Sequence, residues 1–288
     1  GKVWGWGENR YGQAGFSGNY TSTPRQILTQ VEQISAGEQF SMALDNTGQA
    51  WVWGINNFGQ LGNTWNYFSN CPIRINFNCE KVRLIGCASN GAFAVTEQGH
   101  VWAWGSNETC GLCINKNSGN GQNVFAIPVH VTSLDKYADK IIYIGGGIGW
   151  GEALLDDGTV IGWGLKAALG LGFSVTNQVS TEPVVIMKDV DQLFVRHKGS
   201  FALTKDGKLY TWGQTLSNAP QMIYGEKPTL RQGVNSKIIR IGGGMEHLFY
   251  QTEQGDIYGV GYNGEYKLNQ NEAEGANIDW PGIKISLS

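Results

Sequence analysis

The sequence predicts an all-β fold, a β-propeller of six or seven four-stranded blades built from repeats of about 50 residues. Three observations carry that expectation. Glycine makes up 42 of 288 residues, about twice its usual share of roughly 7%. Eleven each of Trp, Tyr and Phe stand beside only 7 Pro, which argues for many short strands joined by tight turns and against a collagen period or disorder. Third, a strand ending in Trp-Gly or a close variant recurs along the whole chain.

The recurrences are Val3-Trp4-Gly5-Trp6-Gly7, Trp51-Val52-Trp53-Gly54, Val101-Trp102-Ala103-Trp104-Gly105, Val160-Ile161-Gly162-Trp163-Gly164, Leu209-Tyr210-Thr211-Trp212-Gly213 and Ile257-Tyr258-Gly259-Val260-Gly261. Their final glycines lie 47, 51, 59, 49 and 48 residues apart, a spacing typical of propellers and solenoids. Each is followed by a proline leading a short strand: Pro24, Pro72, Pro128, Pro183, Pro228 and Pro281. Next comes an apolar strand, as in Ile34-Ser35-Ala36-Gly37 or Ile239-Arg240-Ile241-Gly242. A fourth strand such as Phe40-Ser41-Met42-Ala43-Leu44 then turns through a glycine (Asn46-Thr47-Gly48, Asp156-Asp157-Gly158) into the next Trp-Gly strand. Glycine suits such turns because it takes positive φ without steric cost. Trp6, Trp53, Trp104, Trp163 and Trp212 are therefore expected at equivalent positions, wedging blade against blade.

Composition narrows the function. A formal charge of −3 supplies no basic face for nucleic acid, and no apolar run reaches the roughly 18–20 residues that span a bilayer. The opening Gly1-Lys2-Val3-Trp4 has neither an initiator Met nor a signal-peptide core. The five cysteines, Cys71, Cys79, Cys87, Cys110 and Cys113, form no regular framework and read as free thiols in a reducing compartment. Neither a G-x-x-x-x-G-K-[ST] phosphate loop nor a G-x-S-x-G elbow is present. No catalytic residue, cofactor or metal is expected.

The phrase Trp53-Gly54-Ile55-Asn56-Asn57-Phe58-Gly59-Gln60-Leu61-Gly62, echoed by Trp6-Gly7-Glu8-Asn9-Arg10-Tyr11-Gly12-Gln13-Ala14-Gly15, resembles the signature of the regulator of chromosome condensation repeats. The resemblance extends over essentially the whole chain. It implies one propeller domain over residues 1–288, with part of one blade missing at the N-terminus and the ring sealed by pairing between N- and C-terminal strands. It also accounts for Cys110-Gly111-Leu112-Cys113, a C-x-x-C that could otherwise suggest redox chemistry or half a zinc site. Counted from Gly105, the two cysteines occupy the places of Gly59 and Gly62.

In an up-and-down blade the glycine hairpins share one face, and the first-to-second and third-to-fourth loops share the other. That second face carries the variation, and variable loops on a rigid scaffold are where binding resides. Its candidate partner-binding residues are Glu38, Gln39, Asn90, Ser106, Asn107, Glu108, Trp150, His197, Lys198, Glu246 and His247, with Trp150 as apolar anchor. Its longest loop runs from Ser106 to Ile127. The resemblance implies a guanine-nucleotide exchange factor for a Ras-superfamily small GTPase, Ran or a relative, in which this loop acts as a wedge and the acids contact the nucleotide site. Such a protein is expected to be a cytoplasmic monomer or, from a bacterial source, an effector working in the host cytosol. The other class is a non-enzymatic interaction propeller, a scaffold or protein inhibitor.

Overall fold

A computed structural model describes residues 1–64, 66–115, 123–171, 178–197, 199–214, 224–244, 247–263 and 277–285. The all-β expectation holds; the blade number does not. Among the described residues there are five four-stranded blades and one two-stranded sheet, not six or seven blades. The reason is that six Trp-Gly strands are present, but the first of them, β1 (Lys2–Glu8), pairs only with β2 (Tyr20–Thr29).

Blade 1 comprises β3 (Val31–Ala36), β4 (Phe40–Asp45), β5 (Ala50–Ile55) and β6 (Phe68–Arg74). Blade 2 comprises β7 (Val82–Cys87), β8 (Gly91–Thr96), β9 (Val101–Ser106) and β10 (Val124–His130), followed by the only α-helix among the described residues, α1 (Thr132–Ala138). Blade 3 is β11 (Ile141–Gly146), β12 (Trp150–Leu155), β13 (Val160–Leu165) and β14 (Val179–Met187). Blade 4 is β15 (Val190–Arg196), β16 (Gly199–Thr204), β17 (Leu209–Gln214) and β18 (Tyr224–Leu230). Blade 5 is β19 (Ile238–Gly243), β20 (His247–Thr252), β21 (Ile257–Tyr262) and β22 (Asn277–Lys284). Every blade is an antiparallel meander in chain order. The expected N-to-C seal is not formed among the described residues, because β1 pairs with β2 alone and β22 with β21 alone.

The signature tryptophans stand in equivalent register. Trp53, Trp104, Trp163 and Trp212 face Ser41, Ala92, Gly151 and Ser200 on the neighbouring strand, and each is at most 3% exposed. Small partners leave room for the indole to reach the preceding unit, where three of the four donate Nε1–H to a loop carbonyl. Trp53 reaches Gln13 at 2.9 Å, Trp104 reaches Gln60 at 2.8 Å and Trp163 reaches Gly111 at 2.9 Å. The apolar cores therefore lie between blades, as where Phe93 meets the edge of Trp163 at 5.7 Å. Trp6, on the two-stranded sheet, is 59% exposed.

The prolines sit within the outermost strands rather than leading them. Each outer strand slips register opposite the signature position, as expected where a residue without N–H interrupts an edge ladder. Neighbouring innermost strands are joined by side chains. Gln33 exchanges two hydrogen bonds with the backbone of Ile85 (2.8 and 3.0 Å), and Gln192 bonds Ile239 O (2.8 Å) and Ile241 N (3.3 Å). Tyr143 Oη accepts the Val195 N–H at 3.0 Å. Inner edges that would otherwise invite foreign strands are thereby occupied.

Cys110 and Cys113 hold φ of 60° and 59°, matching Gly59 (75°) and Gly62 (66°). They are glycine positions filled by thiols, and no metal-ligand cluster occurs among the described residues. A left-handed backbone costs a non-glycine residue about 1–2 kcal/mol. Cys110→Gly is therefore expected to stabilise the fold by about 1 kcal/mol, read as a higher urea midpoint at unchanged slope. Cys113 is 3% exposed, so lost packing offsets the gain there.

Candidate functional site

The first-to-second loops of blades 1 to 4 meet around the mouth of the central channel. Backbone bonds sew them into a collar: Glu38 N–H donates to Ser89 O at 3.0 Å, and Ile148 N–H to His197 O at 3.1 Å. Between blades 2 and 3 the Thr109 hydroxyl donates to Gly149 O at 2.6 Å. These bonds tie loops of different blades to one another.

The predicted residues take different places in it. Glu38 and Glu108 are exposed. Gln39 contributes its carbonyl, accepting Ile55 N–H at 2.9 Å. Asn90 is half-buried, its Oδ1 3.3 Å from Gln60 Nε2 and its carbonyl accepting Ser106 N–H at 2.8 Å. Asn107 is fully buried and clamps its own loop, donating to Ile114 O (2.8 Å) and accepting from Leu112 N (3.0 Å). Asn9 and Asn56 do the same in their units, so this residue is structural. Trp150 is 3% exposed, with its ring against Gly147; it occupies the place of Phe40 and offers no anchor to a partner. The exposed apolar residue of that loop is Ile148, at 37%. His247 lies half-buried, its ring 5.2 Å from Phe249. Lys198, Glu246 and part of the Ser106–Ile127 loop (116–122) lie outside the described residues. The described end of that loop, Val124 onward, is already strand β10.

At the mouth itself, His197 of blade 4 reaches across the axis. Its Nδ1 lies 3.1 Å from Ser89 Oγ of blade 2 and 3.8 Å from Glu38 Oε2 of blade 1. Both contacts use the same ring nitrogen, so the group is not the relay of a hydrolytic triad, which needs the base and the orienting acid on opposite nitrogens. Below lies Cys87, 7% exposed, its thiol pushed up to about 12 by burial.

Residues 1–44 and 47–95 match the regulator of chromosome condensation (RCC1) repeat, and residues 31–60 match a second description of the same repeat. This is an RCC1-type repeat propeller. The ultraviolet-B receptor UVR8 of Arabidopsis thaliana is 25% identical over 303 residues, covering 99% of this chain and 65% of UVR8. The E3 ubiquitin-protein ligase HERC2 of Mus musculus is 28% identical over 187 residues, 62% of this chain but 4% of HERC2. The chain thus spans less than two thirds of these relatives' length. Among solved structures, Prp20p from Saccharomyces cerevisiae superposes with a TM-score of 0.78 at 21% identity, covering 100% of this chain and 74% of that one. That likeness establishes the fold.

Against the RCC1-type register one buried residue stands out that sequence reasoning missed. Glu152 on β12 occupies the position held by Met42, Phe93, Phe201 and Phe249 in the other blades. It is fully buried, and its Oε1 accepts the Trp212 Nε1–H at 2.7 Å, replacing the loop carbonyl that the other tryptophans use. Burial raises its pKa to about 8 despite that bond. The signal is present in the repeat alignment: one acid in a column of large apolar residues.

Proposed function

We propose that the collar face binds a small GTPase and accelerates release of its guanine nucleotide. The observation that supports this most is the collar itself: Glu38, Glu108 and Ile148 are exposed on loops of three blades held by inter-loop hydrogen bonds. Exposed acids around an apolar centre suit a surface that competes for the basic, phosphate-binding elements of a nucleotide site. The similar yeast protein Prp20p is described by its binding to Gsp1p and histones. No covalent chemistry is required. A protein that binds the nucleotide-free GTPase more tightly than the loaded one weakens nucleotide affinity by the same factor.

The test is release of a fluorescent guanine nucleotide from a panel of Ras-superfamily GTPases. The triple variant Glu38→Ala, Glu108→Ala, Ile148→Ala is expected to slow release by about tenfold or more, in line with loss of about 1.4 kcal/mol or more of differential binding. Glu97→Ala, on the hairpin face, should leave it unchanged. Binding without release would favour the interaction-module reading. The similarity to UVR8 and HERC2, a receptor and a ubiquitin ligase by name, supports that second reading.

A further inference from the structure

The innermost strands of all five blades wall one channel, and its mouth is a cavity of about 280 Å³. Beneath it a second cavity of about 440 Å³ shares the walls formed by Ala36, Cys87, Phe194, Val195 and Gly243. These residues make much of the shared wall apolar, while the rim carries, among the described residues, Glu38, Ser89 and His197. Pockets of a few hundred Å³ with apolar walls and a few polar groups at the mouth are the usual form of a ligand site.

Among the described residues, the charges around the mouth say what head group fits. Arg196 also borders the cavity, but it is 8% exposed and its guanidinium lies 5.4 Å from the centroid of the Phe201 ring, turned toward the core. The Glu38 side chain is one-third exposed at the rim, and His197 approaches it no closer than 3.8 Å. Ser89 Oγ adds a neutral donor-acceptor on the neighbouring loop, 3.1 Å from the same His197 Nδ1. An anion would meet Glu38 on entry, whereas a cation gains it as a partner in a site partly shielded from water.

We propose that the channel mouth binds a primary alkylammonium group, its charge on Glu38 and Ser89 and its aliphatic stem against Phe194, Val195 and Cys87. Free aliphatic amines and the lysine side chain of a docked protein share that chemistry. The site stands or falls without any GTPase, so its test is independent of the exchange reading.

The intact protein is titrated calorimetrically with octylamine, octanol, octanoate and Nα-acetyl-lysine amide. Octylamine is expected to bind saturably and at least about tenfold more tightly than octanol, with octanoate weakest. Glu38→Gln should abolish the preference for octylamine over octanol while leaving the unfolding transition in place. Bound octylamine should also slow alkylation of Cys87 several-fold, with the exposed Cys71 and Cys79 unaffected as internal controls. Competition by the lysine amide assigns the group to a protein side chain; its failure while octylamine binds assigns it to a free amine. Equal binding of octanol, an undiminished preference in Glu38→Gln, or the absence of octylamine binding overturns the proposal.

Discussion

Glu152→Gln is expected to stabilise the protein at alkaline pH and to leave it unchanged near pH 5. In the folded chain the Glu152 carboxyl titrates at about 8, raised by burial from its ordinary value of 4.5. Between those values the folded state holds a proton that the unfolded chain has lost. The stabilisation is therefore complete below about pH 4.5, falls as pH rises, and is gone above about 8. Each unit of difference corresponds to about 1.4 kcal/mol, so the wild type should lose on the order of 3–5 kcal/mol across this window. Glutamine keeps a carbonyl oxygen for Trp212 Nε1 and never ionises, so its profile should be flatter. Urea unfolding at pH 5, 7 and 8.5 decides it; parallel profiles for the two proteins would show that Glu152 does not titrate across this range.

The second large effect is Gly105→Ala, expected to cost about 3 kcal/mol or more. Gly105 follows a signature tryptophan with φ of 98°, and a Cβ there would sit 2.5 Å from Asn90 O and 2.7 Å from Gly91 Cα. Backbone strain and collision add, and the collision is with main chain that cannot step aside. Gly7 holds the same place on β1, with φ of 89°, and a Cβ added there would meet no atom within 4 Å. Gly7→Ala should therefore cost only the conformational part, about 1 kcal/mol. Thermal unfolding of the two variants side by side separates strain from collision, and equal losses would discredit the account.

What was legible in the sequence is what local stereochemistry demands. Trp-Gly strands, turn glycines and the two cysteines in glycine places each answer to a positive φ or a close approach, so spacing alone located them. The blade number was overcounted, because each Trp-Gly strand was set equal to a blade, whereas β1 pairs only with β2. The channel mouth was half legible. Glu38 and His197 were found as loop residues, but their meeting with Ser89 spans three blades and 108 residues of sequence between Ser89 and His197. Trp150 was misread because residue type signals apolar area and not the side on which that area is covered. Register with Phe40 was the better guide, since it places the ring inside.

The indole bonds between units have a bearing on how such a chain can change over generations. Trp53, Trp104 and Trp163 each donate to a backbone carbonyl of the unit before, and a carbonyl is present whatever residue carries it. A duplicated or transplanted repeat would find its acceptor waiting, so those junctions tolerate shuffling. The junction of blades 3 and 4 does not share that freedom. There Trp212 bonds the side chain of Glu152, and a repeat inserted between them would part that buried acid from its donor. Copying errors and recombination should thus accumulate at three seams of the propeller and be purged at the fourth.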